Sequence, residues 1–211
     1  MENPGIDELQ NGQKYELIAK LDHQQIKKFV INQLTKGGKV VRVYMIYQGI
    51  MILMGIFFLT MSIVIAIQGN LQPLLFSGAA LVFSFSLLII IHELLHALAL
   101  KITGARKINF GAYLKKFIFY AEADRHVLNR KQFAFIALTP LVVVKLVTLA
   151  GILLFIPTAG IYFFIFVMSA HSLFCAGDIG LLSIFYHEKD DEILTFDVKE
   201  EKTSYYYRKV V

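Results

Sequence analysis

Four long apolar runs constrain the fold of this chain more than any other feature of its sequence. They extend from about Tyr44 to Ile67, Pro73 to Leu100, Phe133 to Ile156 and Ile161 to Tyr186. Each exceeds the roughly 20 residues that a helix needs to cross the hydrocarbon core of a bilayer. Hydrophobic residues make up 56% of the chain and charged residues 18%, whereas soluble domains average about 45–50% and about 25%. We therefore predict an all-α membrane protein with four transmembrane helices.

The basic residues between these runs predict how the helices are oriented. Seven Lys or Arg precede the first run, eight lie between Lys101 and Lys131, and five follow Tyr186, whereas the two short turns hold none. Because Lys and Arg are retained on the cytoplasmic side of a membrane, both termini and the loop after the second helix are predicted to be cytoplasmic. The net charge of +5 is then explained by topology and anionic lipid headgroups, and nucleic acid is not an expected partner.

This topology divides the chain into three regions. Residues 1–43 form a cytoplasmic N-terminal segment, residues 44–186 form the four-span core, and residues 187–211 form a cytoplasmic tail. The tail is rich in Glu, Asp, Lys and Tyr, and we expect it to be solvated and partly disordered.

Short elements are predicted outside the apolar runs. Gln13 to Leu21 is a candidate strand, and Asp22 is a candidate N-cap for an amphipathic helix that Gly37 would end. Residues 105–122 contain two β-prone runs, which predict a small cytoplasmic hairpin between the second and third spans. Such a hairpin either holds an extended substrate through main-chain hydrogen bonds or lies on the membrane surface.

The second span contains His92-Glu93-Leu94-Leu95-His96, which is an HExxH motif. Residues i and i+4 of a helix share one face, so the two imidazoles can bind one zinc ion. Glu93 can take a proton from a zinc-bound water. A chance occurrence is the alternative, but an acidic residue at the centre of a bilayer costs about 2.5–3.5 kcal/mol. The motif therefore predicts a catalytic zinc centre.

A catalytic zinc site needs a third protein ligand and an open position for water. Asp178 is the only acidic residue in the other three spans. Its depth differs from that of His96 by roughly 5 Å, which a modest helix tilt can absorb. The alternative is that Asp178 neutralises Lys145, which lies about 10 Å farther from the cytoplasmic end. We predict that Asp178 is the third ligand of a single Zn²⁺ ion.

His171 lies two helical turns before Asp178, and its role is open. It could donate a hydrogen bond to the oxyanion of a tetrahedral intermediate, which would make it a catalytic residue. It could equally be a structural partner of Lys145 or of a backbone carbonyl. Cys175 is the single cysteine, which excludes an internal disulfide framework, and it is expected to be a small packing residue.

These motifs resemble those of a bacterial membrane family described as putative zincin peptidases, a domain of unknown function related to the site-2 proteases. The resemblance covers roughly residues 85–186, and its first and last motifs are the specific ones. It rests on the HExxH sequence, Phe110-Gly111, Tyr120-Ala121, Ala137-Leu138-Thr139-Pro140, and His171 through Asp178.

The resemblance implies an intramembrane zinc metalloprotease of a bacterial cell membrane. It also implies His92, His96 and Asp178 as the metal ligands and Glu93 as the general base. Site-2 proteases have Gly after the ligand aspartate, and Asn and Pro before it. Here Ile179 follows Asp178, and His171 stands near the position of the Asn.

The predicted function is zinc-dependent hydrolysis of a peptide bond in a peptide or membrane-protein substrate, near the cytoplasmic side of the bilayer. One alternative is a membrane transporter or metal-handling protein with His92, His96, His171 and Asp178 as a transit site. Another is a pseudoprotease that binds zinc for folding alone. A transit site has no need for Glu93, and the charge-free turns offer no entrance for a metal.

Overall fold

The computed structural model describes residues 3–113, 118–186 and 192–210. The predicted turn of the hairpin, Leu114 to Lys116, therefore lies outside the described residues. The chain divides into two units. The first unit comprises Met1–Val41, Glu93–Thr139 and Gly177–Val211, and the second comprises Arg42–His92 and Pro140–Ala176.

Helices dominate the described residues, and short strands accompany them. The helices are α1 (Ile6–Gln10), α2 (Ile26–Lys36), α3 (Lys39–Ile67), α4 (Gln72–Ser84), α5 (Leu87–Ile102), α6 (Arg130–Phe155), α7 (Ile161–Phe174) and α8 (Ala176–Ser183). The strands are β1 (Tyr15–Asp22), β2 (Ile108–Tyr113), β3 (Ile118–Ala123), β4 (Leu128–Asn129), β5 (Ile193–Val198) and β6 (Thr203–Lys209).

Several helices are long and apolar enough to cross a membrane. Among the described residues these are α3, α6 and the segment Ile161–Tyr186, which contains α7 and α8. Helices α4 and α5 together also qualify, but the pair is bent by 47°. The structure therefore has three candidate spans, or four if the bent pair is one span.

The bend between α4 and α5 has a local cause at Ser86. Its hydroxyl donates a hydrogen bond to the carbonyl of Val82 over 2.6 Å, and its backbone N–H bonds to the carbonyl of Phe83 instead. A serine hydroxyl that bonds to the carbonyl four residues earlier displaces the backbone N–H from that carbonyl, and this disturbs the regular i to i−4 hydrogen bonds of the helix. The second predicted span is accordingly broken rather than continuous.

The second unit consists of packed apolar helices that place a few polar side chains inside. The Tyr44 hydroxyl donates to the carbonyl of Ser172 over 2.5 Å, which ties α3 to α7. The ammonium of Lys145 on α6 lies 3.1 Å from the sulfur of Met51 and 4.3 Å from the ring centroid of Tyr47. Lys145 thus contacts a soft sulfur and an aromatic face of α3.

The first unit contains an antiparallel sheet in the order β1-β6-β5-β4, which the predicted all-α class leaves out. Strand β1 agrees with the predicted strand, but β5 and β6 form in the tail, which is predicted to be solvated and is instead largely buried there. Phe196 stacks on Tyr205 and Tyr207, with centroids 5.3 Å and 5.9 Å apart. These aromatic side chains favour a pleated, buried surface, so the tail folds by pairing with the N-terminal segment.

Two smaller predictions for the first unit are confirmed. Strands β2 and β3 pair antiparallel as a hairpin. The carboxylate of Asp22 accepts a hydrogen bond from the N–H of Gln24 over 2.7 Å and caps a 3₁₀ turn that leads into α2. Helix α2 ends at Gly37, whose φ of 76° suits a residue without a side chain.

A buried cluster of the first unit holds the end of α8 in place. Phe185 is fully buried, stacks on Phe133 at 4.7 Å, and meets the edge of Tyr206. On α8 itself, Gly180 lies against Val30 of α2, and a Cβ at Gly180 would be 2.7 Å from a Val30 methyl. These contacts fix the helix that carries Asp178.

Candidate metal centre

Helix α5 carries the whole HExxH motif. His92 and His96 are one turn apart on this helix and are 6% and 8% exposed. The boundary between the two units falls inside the same helix, because His92 ends the first segment of the second unit and Glu93 begins the next segment of the first unit. The helix itself therefore sets the spacing of the two imidazoles, and both project from one face.

In the first unit, His96 meets the carboxylate of Asp178. The Nε2 atom of His96 lies 3.2 Å from Oδ1 of Asp178, and the Nδ1 atom lies 3.1 Å from the carbonyl oxygen of Ile136. A carbonyl can only accept, so Nδ1 is the protonated nitrogen that donates to Ile136. In a neutral ring Nε2 is then an acceptor that faces an acceptor carboxylate. Either a further proton or a shared cation must lie between them.

In the second unit, His92 meets His171 of α7. The Nδ1 atom of His92 lies 3.0 Å from Nε2 of His171. The other nitrogen of His171 lies 3.8 Å from the sulfur of Cys175, one turn later. His171 is 2% exposed, and Cys175 is fully buried.

The described residues contain two groups of side chains that could hold a metal ion. One is His92, His171 and Cys175, and the other is His92, His96 and Asp178. Nitrogen, carboxylate oxygen and thiolate are the ligands that zinc takes in proteins. The second group also accounts for the facing acceptors of His96 and Asp178, because a cation between them satisfies both. Its residue types therefore fit a zinc ion.

The other predicted site residues are placed as follows. Glu93 is partly buried on α5, next to the first histidine. The Asp178 side chain is 18% exposed. Lys145, the alternative partner of Asp178, is instead seen against Met51 and Tyr47 within its own unit. The predicted oxyanion role of His171 stays a prediction, but an Nε2 atom bonded to His92 cannot contact a substrate at the same time.

Sequence reasoning missed the carbonyl of Ile136 as a partner of His96. A backbone acceptor has no residue type of its own, so no motif indicates it. The signal is indirect: Pro140 in α6 has no N–H to donate to the carbonyl four residues earlier, which is that of Ile136, so this carbonyl can accept from His96 instead.

A second buried polar cluster lies in the first unit, away from the apolar spans. His23 is 2% exposed and its Nδ1 atom is 3.6 Å from a carboxylate oxygen of Glu122, which is 6% exposed. Burial raises the pKa of Glu122 to about 6 and lowers that of His23. Both shifts disfavour the charged forms, so burial opposes an ion pair between the two side chains: the pKa of Glu122 keeps it neutral only below about pH 6, and the lowered pKa of His23 favours its uncharged ring.

Similarity to known proteins agrees with the residues of the site. Residues 85–193, which are more than half of the chain, match the family described as "Putative zincin peptidase". The matched segment includes α5 with the HExxH motif, the β2–β3 hairpin, and α7 and α8 with His171 and Asp178. No curated protein and no solved structure matches the chain.

Proposed function

Because the chain belongs to the family described as "Putative zincin peptidase", we propose that it is a membrane-embedded zinc metallopeptidase. It would hydrolyse a peptide bond near the cytoplasmic side of a bacterial cell membrane. The observation that carries the proposal is the 3.2 Å approach of the Asp178 carboxylate to Nε2 of His96. This contact brings an acidic side chain of one apolar segment next to the metal-binding motif of another.

The proposed metal ligands are His92, His96 and Asp178, which together would hold one Zn²⁺ ion. Three protein ligands leave a position open, as catalytic zinc sites require. Zinc would supply Lewis-acid chemistry, which polarises a peptide carbonyl and makes a water molecule acidic. The protein supplies the fixed geometry, because α5 sets the spacing of its two histidines and the buried contacts of α8 hold Asp178.

Glu93 is the proposed general base. It follows His92 on α5, so its carboxylate is attached to the same helical turn as a metal ligand. It would accept a proton from the attacking water and return it to the amine that leaves. A positioned carboxylate in this role contributes about 10²–10⁴-fold to the rate.

The proposed membrane arrangement has four spans, with both termini in the cytoplasm. It counts the bent pair of α4 and α5 as one span, which the combined length and apolar character of the pair support. The basic residues that follow the second and fourth spans support the orientation. Reporter fusions after Lys131 and after Asn70 test it: the first should be cytoplasmic and the second should not.

Substitution of Glu93 by Gln tests the proposed activity. Purified wild type and Glu93→Gln are compared for bound zinc and for cleavage of an unstructured reporter peptide in proteoliposomes. We expect both proteins to bind one zinc, and we expect the variant to lose cleavage by about 10²–10⁴-fold. Glu16→Gln makes the same chemical change at an exposed residue and should leave both measurements unchanged.

The same experiment separates the proposal from its alternatives. A metal flux that persists in Glu93→Gln proteoliposomes would support a transporter. Zinc bound by both proteins, without cleavage of any reporter or of membrane-protein substrates, would support a pseudoprotease. A wild type that binds no zinc would contradict the proposed metal centre itself.

A further inference from the structure

His92 has a buried partner that does not belong to the HExxH motif. Its Nδ1 atom lies 3.0 Å from Nε2 of His171, and the two rings have their centroids 5.2 Å apart at 58°. His171 is 2% exposed, and it lies on α7 of the same unit. A distance of 3.0 Å is that of a good N–H···N hydrogen bond, so one nitrogen carries the proton and the other accepts it.

The chemistry of a zinc ligand decides which nitrogen donates. A histidine that binds zinc through one nitrogen is neutral and carries its proton on the other. If His92 binds through Nε2, its Nδ1–H donates to Nε2 of His171. His171 then carries its own proton on Nδ1, which faces the sulfur of Cys175 at 3.8 Å. Each ring nitrogen of His92 and His171 in this series of contacts then has a consistent protonation state.

His96 shows the same arrangement with a different partner. Its Nδ1–H donates to the carbonyl of Ile136, and its Nε2 lies on the side of Asp178. Each histidine of the motif therefore has an acceptor at Nδ1. Such partners fix the tautomer and the ring orientation of a zinc ligand, and their loss typically weakens metal binding by about 10–100-fold.

We propose that His171 is a positioning residue that accepts a hydrogen bond from Nδ1 of His92 and thereby directs Nε2 of His92 to the metal. This inference rests on the proposed function, because it takes His92 as a zinc ligand. It assigns to His171 a role distinct from that of an oxyanion donor, which would need the same Nε2 atom as a donor to substrate.

The geometry also distinguishes this role from that of a metal ligand. His92 approaches Nε2 of His171, whereas Cys175 approaches the opposite nitrogen, Nδ1. A hydrogen-bonded chain uses both nitrogens of the ring, one to accept and one to donate. A metal ion bound by His92, His171 and Cys175 would use only one of them.

Zinc affinity tests the proposal without any need for a substrate. The dissociation constant is measured by competition with a chelator for wild type, His171→Leu and His171→Gln. Leucine removes the acceptor, and we expect the dissociation constant to rise about 10–100-fold. Glutamine restores an acceptor at a similar reach, so we expect it to recover most of the affinity. Cys175→Ser keeps an acceptor opposite Nδ1 of His171, so we expect its dissociation constant to remain within a few fold of the wild type, whereas a metal ion bound through the thiolate would lose affinity.

Cobalt substitution separates positioning from ligation, because the d–d spectrum reports the ligand set. We expect the His171→Leu spectrum to match that of the wild type at saturating Co²⁺, with no thiolate charge-transfer band in either. A wild type with a thiolate band that Cys175→Ser abolishes would overturn the proposal. Equal zinc affinity in wild type and a folded His171→Leu would overturn it too, while the proposed function survived. A wild type without zinc would overturn the proposed function, and this inference with it.

Discussion

The Nε2 atom of His96 and the Oδ1 atom of Asp178 lie 3.2 Å apart, although they belong to helices far apart in the sequence. Both atoms are acceptors when the imidazole is neutral and its Nδ1–H donates to Ile136. The pair is therefore stable only when a cation lies between the two atoms or when the imidazole carries a second proton. This requirement connects the arrangement of the helices to the binding of a cation.

Substitution of Asp178 by Asn should abolish tight zinc binding. Asparagine keeps the size of the side chain but removes the negative charge and one strong ligand oxygen, so the ion would be left with two histidines. We expect zinc to be lost on dialysis from Asp178→Asn and retained by the wild type, as measured by elemental analysis.

The matched control is Asp197→Asn, which makes the same change at a partly buried aspartate of β5. Asp197 accepts a hydrogen bond from Ser204 and has no place in the proposed site. This variant should keep its zinc even if it is less stable. Full zinc occupancy in Asp178→Asn would contradict the assignment of Asp178 as a ligand.

Removal of zinc should lower the thermal stability of the wild type. An ion that binds only the folded state adds about 2.7 kcal/mol to the free energy of unfolding when its concentration is 100 times the dissociation constant. We expect a chelator to lower the unfolding midpoint and added zinc to restore it. In Asp178→Asn the midpoint should not respond to either. A wild-type midpoint that is independent of zinc would contradict a resident ion.

Gly180 and Val30 give a test of how the fold positions Asp178. A Cβ at Gly180 would be 2.7 Å from Cγ1 of Val30, and the β-branched valine cannot rotate away cheaply. Gly180→Ala should therefore push α8 from α2, destabilise the protein by about 1–3 kcal/mol, and weaken zinc binding. The double variant Gly180→Ala/Val30→Ala should recover both properties.

Gly177 provides the comparison for that test. It is in the same helix, next to Asp178, but a Cβ there would meet no described atom within 4 Å. Gly177→Ala should be neutral or slightly stabilising, since alanine favours helix by about 1 kcal/mol over glycine. Zinc loss from Gly177→Ala as large as from Gly180→Ala would refute the steric explanation.

The features that could be predicted from the sequence are those that local patterns determine. An apolar run of sufficient length indicates a spanning helix, and the four-residue spacing of His92 and His96 follows from helix geometry alone. Asp178 could be chosen because charge is rare in such runs. The hairpin and the capped start of α2 were likewise visible as short motifs.

The features that could not be predicted depend on contacts between distant segments. Strand β1 pairs with β6 from the other end of the chain, and a composition rich in Glu, Lys and Tyr does not reveal that pairing. The partners of the two histidines, His171 and the carbonyl of Ile136, likewise come from other helices. The bend at Ser86 depends on which carbonyl accepts a hydrogen bond from a single hydroxyl, and the hydropathy of the sequence does not indicate this.

The buried pair of Glu122 and His23 predicts how stability depends on pH. Burial raises the pKa of Glu122 from its ordinary value of 4.5 to about 6, and the nearby carboxylates of Asp197 and Asp124 add to this, while Lys199 opposes it. Between pH 4.5 and 6 the folded protein binds more protons at Glu122 than the unfolded chain does. The contribution of Glu122 to stability therefore falls as the pH rises through this window, and the full loss, about 2 kcal/mol, is reached above it.

Glu122→Gln isolates this contribution, because glutamine is neutral at every pH. The lowered pKa of His23 acts in the opposite direction, but its main cause is burial, which is the same in both proteins, so most of the His23 contribution cancels in their difference. We expect Glu122→Gln to match the wild type near pH 4.5 and to be more stable by about 2 kcal/mol at pH 7, in unfolding measured at several pH values. Glu16→Gln, at an exposed ion pair, should differ from the wild type by less than about 1 kcal/mol throughout. If Glu122→Gln is instead less stable than the wild type at pH 7, the two side chains form a true ion pair, and burial does not dominate their charge states.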